Sequence, residues 1–458
     1  MNALSALWGA LAAAITVRTV WTGFDLLSAQ DARRLTRFAR SAAALSSGLI
    51  LAFATDVWSL SIVTEVYSLN LFFVALIGWI LIELLAGARK TGGEADWEKR
   101  RGRLVALLGL SWGLALTNHL TSLFLFPGIA LILAMGVPGL KFRELAKGVM
   151  WFALALLLYL YLPIRSAMNP PLDWGNPQTL RNFIWVVTGR QFRSLMFALM
   201  PFQMLGRIMR FSSIPWELGG FGALAAGLGA CRLFLGKSRG EILWLVHTLL
   251  MVGSGLFYLA SYHIWDPEGY LLPMIWASAV WAGWLLALVL WAPERLLVLA
   301  RGIAVLILVL GVAVGLKSHW WVDSSGTYDA MQFGEESFAS FDKNAVVLEV
   351  RYERAFTLWY YREVEYAGKR DDVAIVFVEH AGFDWGLDLL RRKYPSLVLP
   401  PEPITLKEKE AATAAWIIEH NIDKRPVYSG ATVDALVEKG YRFEGVGLLY
   451  RVLPPVTE

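Results

Sequence analysis

Two carboxylates, Asp56 and Glu65, bracket a short stretch, "DVWSLSIVTE", that holds no lysine or arginine and lies between two long apolar runs. Unpaired acids beside lipid are costly, so they point to chemistry. Four other segments carry comparable groups. Asn118 and His119 lie in "GLALTNHLTSLF". Arg165, Asp173 and Trp174 lie in "YLPIRSAMNPPLDWGNPQTLRNF". Arg190 lies in "TGRQFR". His263, Asp266 and Tyr270 lie in "SYHIWDPEGYLLP". A carboxylate can take a proton from a hydroxyl acceptor. A guanidinium can pair bidentately with phosphate oxygens. A set of acids, an imidazole, an amide and arginines at one membrane face suits a charged or polar substrate.

Each group also has a plain structural use. Asp56 can end a helix in water, and Glu65 can favour the N-terminal dipole of the span that follows. Asn118–His119 can be a polar turn, and Arg165 can be an interfacial arginine with its stem in lipid. Asp173-Trp174-Gly175-Asn176-Pro177 has the composition of a turn. What singles these residues out is a common sidedness, which depends on the elements that carry them.

Those elements are apolar blocks. The 458 residues are 56% hydrophobic and 17% charged, with mean hydropathy +0.49. Soluble domains are about 25% charged. Blocks long enough to cross a hydrocarbon core of about 30 Å define a multi-pass membrane protein. Ten spans are expected, roughly 3–20, 43–56, 66–87, 104–117, 120–136, 146–163, 214–234, 241–261, 270–291 and 299–317. From about 318 short β-branched runs alternate with charged helical stretches, which predicts a small soluble α/β domain with a mostly parallel sheet. The expected division is a transmembrane domain, 1–317, and an extracytoplasmic domain, 318–458.

Basic loops at 31–40, 88–103, 141–147 and 231–240 mark the cytoplasmic side. The loops near 56–65, 117–120 and 262–269 then face outward together, and the C-terminal domain with them. Met1 is also placed outside, at the start of an apolar run with no basic segment ahead of it, so a first span and its following loop are expected to be missing.

The net charge of +4 and the single cysteine, Cys231, point neither to nucleic acid nor to a disulfide framework. "GVAVGLKS" lacks the register of a phosphate loop. No dinucleotide fingerprint, metal-ligand spacing or Ser-His-Asp arrangement stands out, and no metal is called for.

In order along the chain, "DVWSLSIVTEVYSLNLFFVAL", "GLALTNHLTSLFLFPGIAL", "YLYLPIRSAMNPPLDWGNPQTLRNFIWVVTGRQF" and "YHIWDPEGYLLP" resemble one membrane family, with Glu65–Asn70 and Asn118–Leu120 as the most specific blocks. It comprises bacterial relatives of the eukaryotic transmembrane protein O-mannosyltransferase, within the glycosyltransferase C superfamily. "LWYYREVEYAGKRDDVAIV" and "KRPVY" extend the resemblance into the C-terminal part. It implies an integral-membrane glycosyltransferase of the bacterial inner membrane, moving a sugar such as mannose from a polyprenyl-phosphate carrier to a protein or glycan acceptor on the extracytoplasmic face. Asp56 or Glu65 would act on the acceptor. Asn118, His119 and Asp266 would line the sugar pocket, and Tyr67, Asn70, Asp173, Trp174, His263 and Tyr270 would also bind substrate. Arg165 and Arg190 would face the lipid phosphate. The family's acidic first loop has no counterpart in this chain, whose start matches the segment just after it. A transporter or flippase of a lipid-linked substrate, or a non-catalytic scaffold, are the rival readings.

Overall fold

A computed structural model describes residues 2–27, 35–87, 94–211, 226–231, 238–264, 267–289, 297–404 and 409–456. By internal contacts the chain forms two compact units, residues 1–159 with 191–323, and residues 160–190 with 324–458. The segment 160–190 thus groups with the C-terminal residues, although it follows a membrane-type helix in sequence.

The first unit is helical. Its elements are α1 (Asn2–Gly23), α2 (Arg37–Ala52), α3 (Thr55–Ser61), α4 (Tyr67–Gly87), α5 (Glu94–Asn118), α6 (Phe142–Leu156), α7 (Arg239–Ser261), α8 (Glu268–Val289) and α9 (Leu297–Val322). Among the described residues, five helical stretches are long and apolar enough to cross a membrane. They are Asn2–Leu26, Tyr67–Gly87, Phe142–Ala167, Arg239–Ser261 and Glu268–Ala287. α2 and α3 add a sixth if counted as one broken span, bent by 61°.

The expected count of ten spans is therefore not supported. α5 opens with Glu94, Asp96, Glu98, Lys99, Arg100, Arg101 and Arg103, which dilute its apolar half. The run 120–136 splits into a 3-10 turn, one α-helical turn and a π turn, and is too short. The expected span 214–234 lies mostly outside the described residues.

Apolar packing between spans cannot choose a register, because lipid tails are as apolar as leucine. Polar contacts make the choice. Glu83, buried in α4, accepts from Thr22 of α1 at 3.0 Å and pairs with Arg100 of α5. Buried Arg101 of α5 makes two bonds of 3.1 Å from Nε to the Glu144 carboxylate of α6. Between the same two helices Gly109 lies against the backbone of Gly148, where a methyl group would overlap the Gly148 carbonyl. Such close approach needs small residues.

The second unit is built on a five-stranded sheet of order β2-β1-β3-β5-β4, with β1 Val346–Glu349, β2 Ala374–Phe377, β3 Val427–Ser429, β4 Arg442–Val446 and β5 Leu449–Leu453. β1 pairs in parallel with β2 and β3, and β3–β5 and β5–β4 are antiparallel. The sheet is mixed, whereas the sequence suggested a mostly parallel one. The hairpin turn at Gly447, φ 59°, supplies the antiparallel pair. The parallel strands are buried on both faces, so they read as continuous apolar runs. Alternate residues feed two cores: Val346, Leu348 and Val376 on one face, Val347, Ile375 and Tyr428 on the other. Helices α10 (Asp329–Ser340), α11 (Tyr352–Tyr360), α12 (Asp384–Lys393) and α13 (Lys409–Asn421) complete this unit.

The buried ion pair makes a direct test. Arg101→Met alone strands the Glu144 charge and is expected to cost about 3–5 kcal/mol. Pairing it with Glu144→Leu should restore most of that loss. Unfolding in mixed micelles measures both, and equal instability of the single and double variants would contradict the assignment.

Candidate functional site

One end of the helical unit gathers side chains from four elements. Tyr67 opens α4, Asn118 closes α5, His119 follows it, and Tyr270 sits in the first turn of α8. The Asn118 amide nitrogen donates to the Val66 carbonyl at 3.1 Å, which ties the end of α5 to the start of α4. The Tyr67 ring lies 5.6 Å from His119 and 5.9 Å from Tyr270, and His119 meets Tyr270 edge-on at 5.3 Å. Gly269 makes this triangle possible, since a β-carbon there would overlap the Tyr67 ring.

His119 also caps the turn after it. Its Nδ1 accepts from the Thr121 backbone N–H at 3.4 Å and lies 2.7 Å from the Thr121 hydroxyl. That pattern assigns the proton to Nε2, so the imidazole offers a donor on its other edge.

Beside the triangle is a small cavity, lined in part by Asn70, Ser122, Phe124, Tyr258, Tyr270 and Pro273. Asn70 is held by the Ser122 hydroxyl at 3.0 Å. Pro273 lies inside α8. Lacking an N–H, it leaves the carbonyl one turn back without its helical donor. Tyr258 stacks on Tyr262 at 5.0 Å and lies 5.9 Å from Tyr270. An aromatic wall with a few fixed polar groups suits a ring-shaped ligand that carries hydroxyls.

The other expected residues fall in several places. Glu65 is exposed, two residues ahead of α4, and Asp56 is half-buried in the first turn of α3. His263 is exposed, and its backbone N–H bonds the Leu195 carbonyl. Asp266 lies outside the described residues. Arg165, Asp173, Trp174 and Arg190 belong to the second unit. There Arg165 ends a short helix and is half-buried, and Arg190 is exposed. Asp173 is buried, accepts from the Ser166 hydroxyl at 2.9 Å and lies 3.7 Å from Arg392. Trp174 packs edge-on against His380 at 4.5 Å.

Sequence reasoning missed Tyr258, Tyr262 and Ser122. Tyr258 on α7 and Tyr262 just past its end recur four residues apart, which reads as ordinary span composition. It also missed Glu83, whose intramembrane carboxylate was a legible signal, and Glu349. Glu349 ends β1 fully buried, with Oε1 taking the N–H groups of Val350 and Arg351, and burial raises its pKa above the ordinary carboxylate value. Among the described residues no group of three or more His, Cys, Asp or Glu is placed to hold a metal ion.

Comparison with known proteins adds to this geometry. Residues 1–138 match the family "Protein O-mannosyl-transferase TMEM260 N-terminal domain". Over 428 residues the chain is 26% identical to the Mus musculus Protein O-mannosyl-transferase TMEM260, covering 87% of this chain and 56% of the relative. The similarity supports a relationship to this transferase family. The chain spans about half the length of the curated relative it matches. No solved structure matches. The family match takes in Asp56, Glu65, Tyr67, Asn70, Asn118 and His119.

Titration gives a test in the second unit. Burial lowers the His380 pKa from 6.5 to about 4. The unfolded chain therefore takes up the proton first as pH falls. Stability is fully present above about 6.5 and drops by about 1.4 kcal/mol per pH unit between 6.5 and 4. Denaturant unfolding at pH 7, 6 and 5 should show this slope, and His380→Phe should flatten it. Equal slopes in both proteins would exclude His380 as the source.

Proposed function

We propose that this chain is a membrane glycosyltransferase that moves a sugar, mannose in the reading its relative's name supports, from a polyprenyl-phosphate carrier to a hydroxyl acceptor. The observation that carries the reading is the similarity to a protein O-mannosyl-transferase along 87% of the chain. The polar and aromatic cluster of Tyr67, Asn118, His119 and Tyr270 supports it.

In this reaction the acceptor oxygen bonds the anomeric carbon as the bond from that carbon to the phosphate oxygen breaks. The acceptor proton passes to a carboxylate, and the polyprenyl phosphate leaves as the anion with inversion at the sugar. Glu65, exposed two residues before Tyr67, is the carboxylate assigned to the acceptor, with Asp56 next in order. A general base of this kind contributes about 10²–10⁴-fold. The Nε2–H of His119 and the amides of Asn118 and Asn70 hold sugar hydroxyls, and Tyr67 and Tyr270 offer ring faces for the sugar. Arg165 and Arg190 are assigned to the carrier phosphate and Asp266 to the sugar, as the resemblance implies. The carbohydrate side faces the extracytoplasmic space, as the basic residues at the starts of α5 (99–103) and α6 (141–147) favour the opposite end for the cytoplasm.

Transfer assayed in membranes with a polyprenyl-phosphate mannose donor tests this. Glu65→Gln is expected to lower kcat at least 100-fold with KM little changed. His119→Ala and Arg165→Ala should raise KM for the donor, and all three proteins should remain in the membrane fraction. Undiminished transfer by Glu65→Gln would remove the carboxylate from its role. Undiminished transfer by all three would reject the site.

A further inference from the structure

The second unit holds a small cleft of its own, between residues 171–172 and the sheet domain, too narrow as it stands for an aromatic ring. Its walls include Trp359, Phe377, His380, Leu390, Lys393 and Tyr394. Around the His380 imidazole stand Trp174 at 4.5 Å, Trp385 at 4.7 Å, Phe377 at 4.8 Å and Trp359 at 5.5 Å. His380 is 6% exposed, and its Nε2 is buried with no hydrogen-bond partner. A buried polar atom left unpaired costs about 1–3 kcal/mol, so it is a vacancy that a ligand can satisfy.

The cleft is roofed by a strap, residues 169–174, pinned from outside. Arg392 donates to the Asn169 side-chain oxygen at 2.6 Å and faces Asp173, and the Lys393 ammonium donates to the Pro171 carbonyl at 3.3 Å. Backbone in the left-handed region marks both ends of the strap, Asn169 at φ 50°, Gly175 at φ 74° and Asn176 at φ 42°. Trp174, 40% exposed, is the roof residue against His380. These contacts tie the strap to α12 and not to a strand, so the strap can lift without breaking a strand pairing.

We propose that this cleft is a binding site for a phenol, an aromatic ring that carries one hydroxyl, admitted by movement of the 169–174 strap. The aromatic walls suit a ring packed edge-on or offset. Two buried polar atoms beside His380 lack partners, its Nε2 and the Trp385 indole N–H, and one hydroxyl can donate to the first and accept from the second, whereas a polyol such as a sugar would bury further hydroxyls without partners. A hydroxyl satisfies Nε2 in either tautomer, donating to the bare nitrogen or accepting from its N–H. The Lys393 ammonium is already matched by Glu363 at 2.6 Å, so no charge in the cleft asks for an anion. A tyrosine side chain of a polypeptide and a free small phenol present the same chemistry.

The test is amide hydrogen exchange on the full chain in detergent, with p-cresol, toluene, N-acetyl-tyrosinamide and N-acetyl-phenylalaninamide as probes. p-Cresol is expected to slow exchange at least threefold in peptides covering 169–174 and 378–394, with toluene needing at least tenfold higher concentration. Protection by N-acetyl-tyrosinamide but not its phenylalanine analogue supports a polypeptide tyrosine as the natural occupant. Protection by p-cresol alone supports a small phenol. His380→Phe should erase the preference for p-cresol over toluene. Should that variant not fold, the cresol–toluene comparison on the unsubstituted chain still decides. No protection in these peptides, or equal protection by toluene, overturns the proposal.

Discussion

The helical unit depends on one register lock, the antiparallel setting of α4 against α5. Glu83 near the end of α4 pairs with Arg100 near the start of α5, and Thr22 of α1 completes the carboxylate's shell. From Glu83 back to Tyr67 is about 24 Å of helix, and from Arg100 on to Asn118 about 27 Å, at about 1.5 Å per residue. Equal lengths bring Tyr67 and Asn118 together at the far end, where the Asn118 amide bonds Val66. A buried carboxylate held by an exposed arginine at one end of the bundle therefore sets the geometry of the polar cluster at the other. The two lengths are close to the hydrocarbon thickness of about 30 Å, so the lock and the cluster fit opposite membrane faces.

The lock is specific because its alternatives are costly. Sliding α4 by one turn would draw the Glu83 carboxylate away from Arg100 of α5 and from Arg18 of α1, which lies 3.8 Å from it. The Arg101–Glu144 pair applies the same rule to α5 and α6, and Gly109 against Gly148 lets these helices approach closely enough for the pair to form. Apolar side chains fill the space between spans, while a few polar pairs decide how the spans are aligned.

The second unit shows a different economy. Its strands β1, β2 and β3 are buried on both faces, so they tolerate little substitution, whereas β4 and β5 are partly exposed. The segment 160–190 contributes Asp173, bonded to Ser166 and facing Arg392, and Trp174, against His380. Asp173 is thus committed to holding its own loop, the turn role that its Asp-Trp-Gly-Asn-Pro context already suggested.

Composition and periodicity alone determined that the chain carries membrane-type helices and ends in an α/β part, because hydrocarbon thickness and strand alternation impose lengths and periods visible in any window of residues. The residue types at Tyr67, Asn118, His119 and Tyr270 were also legible, since polar groups beside apolar runs are conspicuous. The number of spans was not. Whether 120–136 continues as one helix or breaks into 3-10, α and π turns depends on contacts such as His119 with Thr121. Nor was it legible that Tyr258 of α7 would stand beside Tyr270, or that 160–190 would group with residues 324–458, because such partners lie more than a hundred residues apart or on separate helices. Only the tertiary structure, through polar pairs that must find one another in a low-dielectric interior, decided which of these side chains meet.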